Sequence, residues 1–277
     1  MHTAHLQFQS ELMNSYMLID TALIDIRVKK PWIKPKTRQA WIAAVYGKGV
    51  THVSPVVIDI AETVKCGRVS EMMELMNAAQ KLCVSFIETE LSLEDLLSHL
   101  RQFIHVCTDE GEELTLRFAD GAVLPALAAE MTSEQWSAMT FPLKAWKVHG
   151  RDGLVQPLPR PTSSTLAKCP LTMNADQIAA LKNAMAVDQL LVNLRQMRPG
   201  LVSEYATLQA YEFAAQARRM WHAAGQIDGT DLLLFARGVF DTDGRLLRVP
   251  TLPQALSQPD LNLVRLDVQR MVKNQYR

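Results

Sequence analysis

Apolar residues arrive in short runs through the first half of the chain and at helical spacing through the second. Tyr16–Ile19 and Val56–Ile58 are compact apolar runs that end beside Asp20 and Asp59, the pattern of buried strands. Leu82–Ile87 is a third candidate strand. Between the last two, Glu71–Gln80 reads as a helix with Ser70 placed to cap it. Ser92 and Asp95 have capping-box spacing, and Leu93, Leu96, Leu97 and Leu100 fall at i, i+3, i+4 and i+7, so a helix opens at Ser92. Ile104–Val106 and Leu114–Leu116 flank the acidic stretch Asp109–Glu113 and predict a hairpin. Ala122–Ala129 and a segment opened by Thr132 with Gln135 read as short helices, and Leu143–Val148 as the last strand. The first half is α/β or α+β.

After Asn174 the period becomes helical. Ile178, Leu181, Met185 and Val192 form one stripe, and Ala184, Val187, Leu191 and Leu194 a second, so this helix is expected to lie between neighbours. Pro199–Gly200 ends it. The next is predicted from about Val202 to Ala224, with Ala210, Phe213, Ala214, Ala217 and Trp221 on one side and Gly225 as its stop. Thr230 is placed to cap Asp231–Phe240, and Leu261–Val272 forms the last helix. Between the halves, Gln156–Thr165 is rich in Pro, Ser and Thr, and Pro170 follows, which predicts an extended connection. The expected organisation is an α/β (or α+β) lobe over 1–155, a linker over 156–173 and an all-helical lobe over 174–277.

Composition narrows the function classes. Hydrophobic residues are 48% and charged residues 21%, which excludes a disordered or collagen-like chain. Lys plus Arg and Asp plus Glu are each 29, so the basic excess of a typical nucleic-acid binder is missing. Cys66, Cys83, Cys107 and Cys169 form no C-x-x-C pair and are expected to be reduced, buried thiols. Met1–Asn14 lacks the layout of a secretory signal, and no uncharged run approaches the ~18 residues that span a bilayer. A cytoplasmic protein without a membrane partner is expected.

Catalytic and cofactor signatures are missing from the sequence. It holds no H-E-x-x-H, no Cys/His zinc spacing, no G-x-S-x-G elbow and no G-x-G-x-x-G, and Gly47-Lys48-Gly49 lacks the phosphate-loop spacing. Neither a metal, a cofactor nor a catalytic residue is assigned. Asp20 and Asp59 remain, at strand ends where acid–base groups sit, although capping the following turn is the simpler use of each. A small hydrolase or transferase using these carboxylates stays open as an alternative. Arg27–Arg38 holds six basic residues around Trp32, with Lys34 and Lys36 beside it. This is either a solvated, proline-stiffened loop or a grip for nucleic acid or an acidic protein surface. Set against the acidic hairpin turn, opposite poles on a neutral chain suit protein partners better than nucleic acid.

Several segments in order resemble one family. These are Tyr16-Met17-Leu18-Ile19-Asp20-Thr21-Ala22, Ser54-Pro55-Val56-Val57-Ile58, His99-Leu100-Arg101, Leu116-Arg117-Phe118-Ala119-Asp120 and Trp146. Over roughly residues 10–150 the chain is similar to the effector adaptors, or chaperones, of bacterial type VI secretion, a domain of unknown function. It departs from their pattern at Ala119, commonly a bulky aromatic, and at Gly121, commonly proline. The resemblance implies a non-enzymatic cytoplasmic protein that binds a toxic effector and helps load it onto the VgrG spike. An immunity protein that inhibits a toxin is the alternative binding role.

Within that resemblance, Asp20, His99, Arg101, Arg117 and Asp120 are expected to be scaffold. Arg117 is placed to reach a carboxylate such as Asp20, and Asp120 to cap the helix after it. Partner contacts are expected from Trp32, Lys34 and Lys36 and, for an effector segment, from Tyr205, Tyr211, Met220 and Trp221 on the longest predicted helix of the second lobe. An aromatic stripe at this spacing is more often a core pattern, which is the favoured reading of Trp221, while Tyr211 suits either.

Overall fold

The computed structural model describes residues 13–22, 24, 28, 39–46, 53–79 and 81–275. The chain divides into two compact units, Met1–Leu181 and Lys182–Arg277.

Unit 1 is built on an antiparallel six-stranded sheet in the order β2-β3-β1-β4-β7-β8. Its strands are β1 (Asn14–Ile19), β2 (Ile42–Ala44), β3 (Val56–Asp59), β4 (Val84–Thr89), β7 (Leu143–His149) and β8 (Val155–Pro157). β1 is buried on both faces because it pairs with β3 on one side and β4 on the other. Strand alternation then sorts its side chains. Met17 and Ile19 pack with Ile58, Val56 and Val84 in one cluster, while Tyr16 and Leu18 point to the opposite face.

Helix α1 (Ile60–Lys65) leaves β3 at Asp59, and α2 (Val69–Ala78) follows, laying Leu75 into the Met17 cluster. α2 begins earlier than expected: Arg68 is its N-cap, so Ser70 lies inside the first turn and does not cap it. Helix α3 (Leu93–Arg101) opens where predicted, with the Ser92 side chain accepting the Asp95 N–H, and buries Leu96, Leu97 and Leu100. A smaller sheet in the order β6-β5-β9 contains the predicted hairpin, β5 (His105–Thr108) with β6 (Glu113–Thr115), and a parallel partner β9 (Leu171–Met173). Helices α4 (Leu124–Glu130) and α5 (Ser133–Thr140) connect the two sheets, α5 with a complete Thr132–Gln135 capping box.

Residues 156–173, expected as a linker, supply β8 and β9 to these sheets, with Leu158 buried between them in sequence. The division between units falls later, after Leu181, inside α6 (Ala175–Met197). β7 is therefore not the last strand. Three cysteines also differ from expectation: Cys66 and Cys169 are exposed, because each falls in a connection outside the cores, and Cys107 on β5 is only half-buried.

Unit 2 is helical. The rest of α6 packs with α7 (Thr207–Ala223), α8 (Thr230–Asp241), α9 (Leu252–Leu256) and α10 (Leu261–Gln275) around Leu194, Ala214, Trp221, Phe235, Val239 and Leu256. α7 starts at Thr207, five residues later than the apolar pattern suggested. α8 begins at Thr230 itself, with Gly229 as its N-cap and no capping side chain. Gly238 lets α10 approach α8: a Cβ there would lie 2.9 Å from Val272 and 3.3 Å from Leu246. An α/β sheet unit followed by a helical unit is the fold class the sequence implied.

Candidate functional site

Three of the five motif residues, Asp20, Arg117 and Asp120, meet beside the end of β1, while His99 and Arg101 bond elsewhere. β1 stops at Ile19, and Asp20 follows with its backbone N–H donating to the Cys83 carbonyl at 2.8 Å. Its side chain, only 6% exposed, serves two donors. Oδ1 accepts the Ala22 N–H at 2.9 Å and Oδ2 accepts Arg117 at 2.9 Å. Arg117 also lies 3.2 Å from the Asp120 carboxylate, whose other oxygen accepts the Ala122 N–H at 3.0 Å. One guanidinium thus joins two carboxylates that each fix a turn. Burial works against the Arg117 charge, but the Asp20 hydrogen bond and the two carboxylates outweigh it and raise its pKa. Tyr46 belongs to the same neighbourhood: burial and the Asp20 charge raise its phenol, and Arg117 opposes them.

Gly121 lies against the Leu82 backbone. Its N–H donates to the Leu82 carbonyl at 2.8 Å, and a Cβ would sit 2.5 Å from that oxygen. Proline would bring the carbon and remove the donor.

His99 and Arg101 act at the tail of α3. His99 Nε2 lies 2.8 Å from the Met139 carbonyl, which can only accept, so the ring proton sits on Nε2. Burial lowers the His99 pKa and the Met139 hydrogen bond offsets it only in part, so the imidazole is neutral at pH 7. Arg101 donates to the Val45 carbonyl at 2.8 Å and the Ala44 carbonyl at 3.2 Å, holding the end of β2. His99 thus ties α3 to α5 and Arg101 ties it to β2, while Asp120 fixes the turn at Ala122 and does not cap α4 as expected, because the helix starts later, with Val123 as its N-cap.

Residues 16–138 match the family model described as a domain of unknown function, DUF4123. No curated protein and no solved structure matches the chain. The DUF4123 stretch runs from β1 into α5 and holds all five motif residues, while β7, β8, β9 and unit 2 lie beyond it.

A buried amide pair went unread in the sequence. Gln135 donates to the Thr172 carbonyl at 2.5 Å, and its carbonyl oxygen accepts the Thr132 N–H and the Gln177 side chain, each at 2.8 Å. Gln177 donates as well to the Glu130 carbonyl at 2.8 Å. Both glutamines stand three residues after a capping residue, Thr132 and Asn174, which was their only visible signal.

The partner residues fare differently. Trp32, Lys34 and Lys36 lie outside the described residues. Trp221 is 1% exposed, stacked on Phe235, with its indole N–H donating to the Ile227 carbonyl, so it is a core residue. The alanine face of α7 that carries it is the buried one, which is the physical reason. Tyr205, Tyr211 and Met220 are half-buried against the same core. Tyr205 spends its hydroxyl on the Phe240 carbonyl at 2.9 Å. A groove of about 270 Å³ runs between α8 and α10, with Trp221, Phe235, Val264 and Val268 below, Leu234 at its lip and the Asp231–Arg265 ion pair across one end.

Among the described residues no group of three His, Cys, Asp or Glu is placed to hold a metal ion, and no helix is long and apolar enough to cross a membrane. Asp59, the second strand-end carboxylate, accepts the Glu62 N–H at 2.9 Å and caps α1.

Proposed function

We propose that this chain is a type VI effector adaptor: it binds a toxic effector in the cytoplasm and helps load it onto the VgrG spike, without catalysing a reaction. The observation that carries this reading is the DUF4123 match over 16–138, a family associated with such adaptors, on the stretch where the ordered motif lies. The geometry supports it in kind. Asp20, Arg117 and Asp120 are spent on one another and on backbone turns, and Asp59 on a helix cap, which leaves these groups to shape rather than to chemistry. In unit 2 the groove between α8 and α10 is the seat proposed for an apolar effector segment.

The test is co-purification of the full chain from a cytosolic extract with a toxin and a VgrG spike. A toxin–spike complex that forms only when this chain is present is expected. A toxin and spike that purify together without it, while the chain emerges alone, overturn the reading. Inhibition of the toxin by the chain would point to an immunity protein instead. A folded Asp20→Asn variant that loses a measurable turnover would point to a hydrolase or transferase.

A further inference from the structure

We infer that the chain self-associates through the outer face of α10, two copies packing antiparallel about a two-fold axis. α10 turns Val264 and Val268 into the core of unit 2 and leaves Leu263, Leu266, Arg270 and Lys273 outside. Leu263 is 48% and Leu266 56% exposed, and with Leu261 they place three exposed leucines within six residues. Among the described residues no other segment exposes large apolar side chains so densely. An apolar ridge of this kind marks an interaction site.

Charge selects the occupant. Asp260 stands just before the first turn of α10, its carboxylate accepting the Asn262 N–H at 2.8 Å, and near the other end stand Lys273 and Arg270, the latter exposed and 3.4 Å from Asp267 of its own helix. At 1.5 Å per residue, Arg270 lies about 8 Å to one side of the midpoint between Leu263 and Leu266, and Asp260 about 7 Å to the other. A two-fold axis through that midpoint therefore sets Leu263 of one copy over Leu266 of the second, with each Arg270 level with the second copy's Asp260. A parallel pairing would set the basic ends against each other. Opposed helix dipoles favour the antiparallel arrangement as well. The ridge is small beside the ~1,600 Å² of a standard interface, so the dimer is weak, with a Kd on the order of 100 µM. The inference rests on the exposure and charge of α10 and does not depend on the function proposed above.

Sedimentation equilibrium of the full chain, from about 10 µM to about 500 µM to bracket that Kd, tests it. The weight-average mass is expected to rise from 31.1 kDa toward twice that value. Leu263→Gln with Leu266→Gln, both at exposed positions, is expected to hold the mass at 31.1 kDa throughout with an unchanged circular-dichroism spectrum. Arg270→Glu is expected to weaken association at least tenfold, and adding Asp260→Lys to restore it, since the reversed charges again face each other. A single-chain mass at the highest concentration overturns the proposal, as does a dimer indifferent to the leucine pair or a charge reversal without effect. If the leucine pair instead governs retention of a toxin by a chain that stays monomeric, the face belongs to another protein and the proposal fails.

Discussion

Arg117 reaches back 97 residues to the Asp20 carboxylate and holds it at 2.9 Å. The contact joins the end of β1 to the loop after β6, so an ion pair does here what a strand pairing does elsewhere in the sheet. Asp20 is buried while Arg117 is half in solvent, and that asymmetry decides which substitution costs more.

Replacing Arg117 by alanine leaves the buried Asp20 charge without its cation. A fully buried pair loses about 3–5 kcal/mol when broken, and a hydrogen bond to a charged group about 1.5–3. Because half of the Arg117 side chain meets water, the lower range applies, and Arg117→Ala is expected to cost about 2 kcal/mol. Arg117→Lys keeps the charge but loses the rigid, planar guanidinium whose Nη2 reaches both Asp20 and Asp120, and should recover only part of this. Urea denaturation measures both; an Arg117→Ala protein as stable as the parent would mean that water replaces the guanidinium without loss.

Gly121 sets a steric prediction. The oxygen 2.5 Å from its missing Cβ belongs to the Leu82 backbone, which cannot swing aside as a side chain would. Gly121→Ala is expected to cost about 3 kcal/mol, the upper range for overpacking. Gly121→Pro is expected to cost about 1 kcal/mol more, through the lost bond to Leu82. Gly238→Ala is the contrast. Its clashes are with the Val272 and Leu246 side chains, and the gain of about 1 kcal/mol in helix propensity offsets an overpacking cost near 1–2. Its net effect is expected to stay within about 1 kcal/mol, and thermal melts of the three variants rank them.

His99 makes stability depend on pH in a stated direction. Burial depresses its pKa in the folded protein, so between that value and the ordinary one the unfolded chain binds more protons. The contribution is complete above the unfolded pKa of about 6.5 and is lost as pH falls below it. Stability of the parent should therefore drop between about pH 7.5 and 5.5 by more than that of His99→Gln. The amide of glutamine can still donate to the Met139 carbonyl but does not titrate. Parallel curves for the two proteins across that range would show that His99 protonates without penalty.

What was legible in the sequence follows the range of the interactions involved. The caps at Ser92 and Thr132 are local, and both helices open where those residues stand. The strands β1, β3 and β4 were visible because their apolar runs are buried on both faces. β8 and β9 were not, since Val155–Pro157 and Leu171–Met173 are strands only by virtue of β7 and β5, and the prolines between them read as a connection. The same divide runs through the site. Arg117 with Asp20 was anticipated because opposite charges at strand ends suggest each other. The Met139, Ala44 and Val45 carbonyls that hold His99 and Arg101 leave no trace in residue type. Trp221 was open to both readings, core the favoured one, because an aromatic and alanine stripe looks alike whether it faces a partner or the protein's own core.

Leu234 lines the groove between α8 and α10. It stands at the lip and is 38% exposed, so its replacement leaves the Trp221–Phe235 floor intact. Leu234→Glu is expected to change thermal stability by no more than about 0.5 kcal/mol, as at other surface positions. If the groove seats an apolar effector segment, a carboxylate there must be desolvated when that segment binds, and Arg237 and Arg265, already paired with Asp241 and Asp231, offset that only in part. The cost of that exceeds the 1.4 kcal/mol that makes a tenfold change in affinity. Retention of the effector on the immobilised chain should then fall at least tenfold while retention of the spike is unchanged. Equal loss of both would mean that the substitution acts on the fold, and no loss of either would place the effector on another surface.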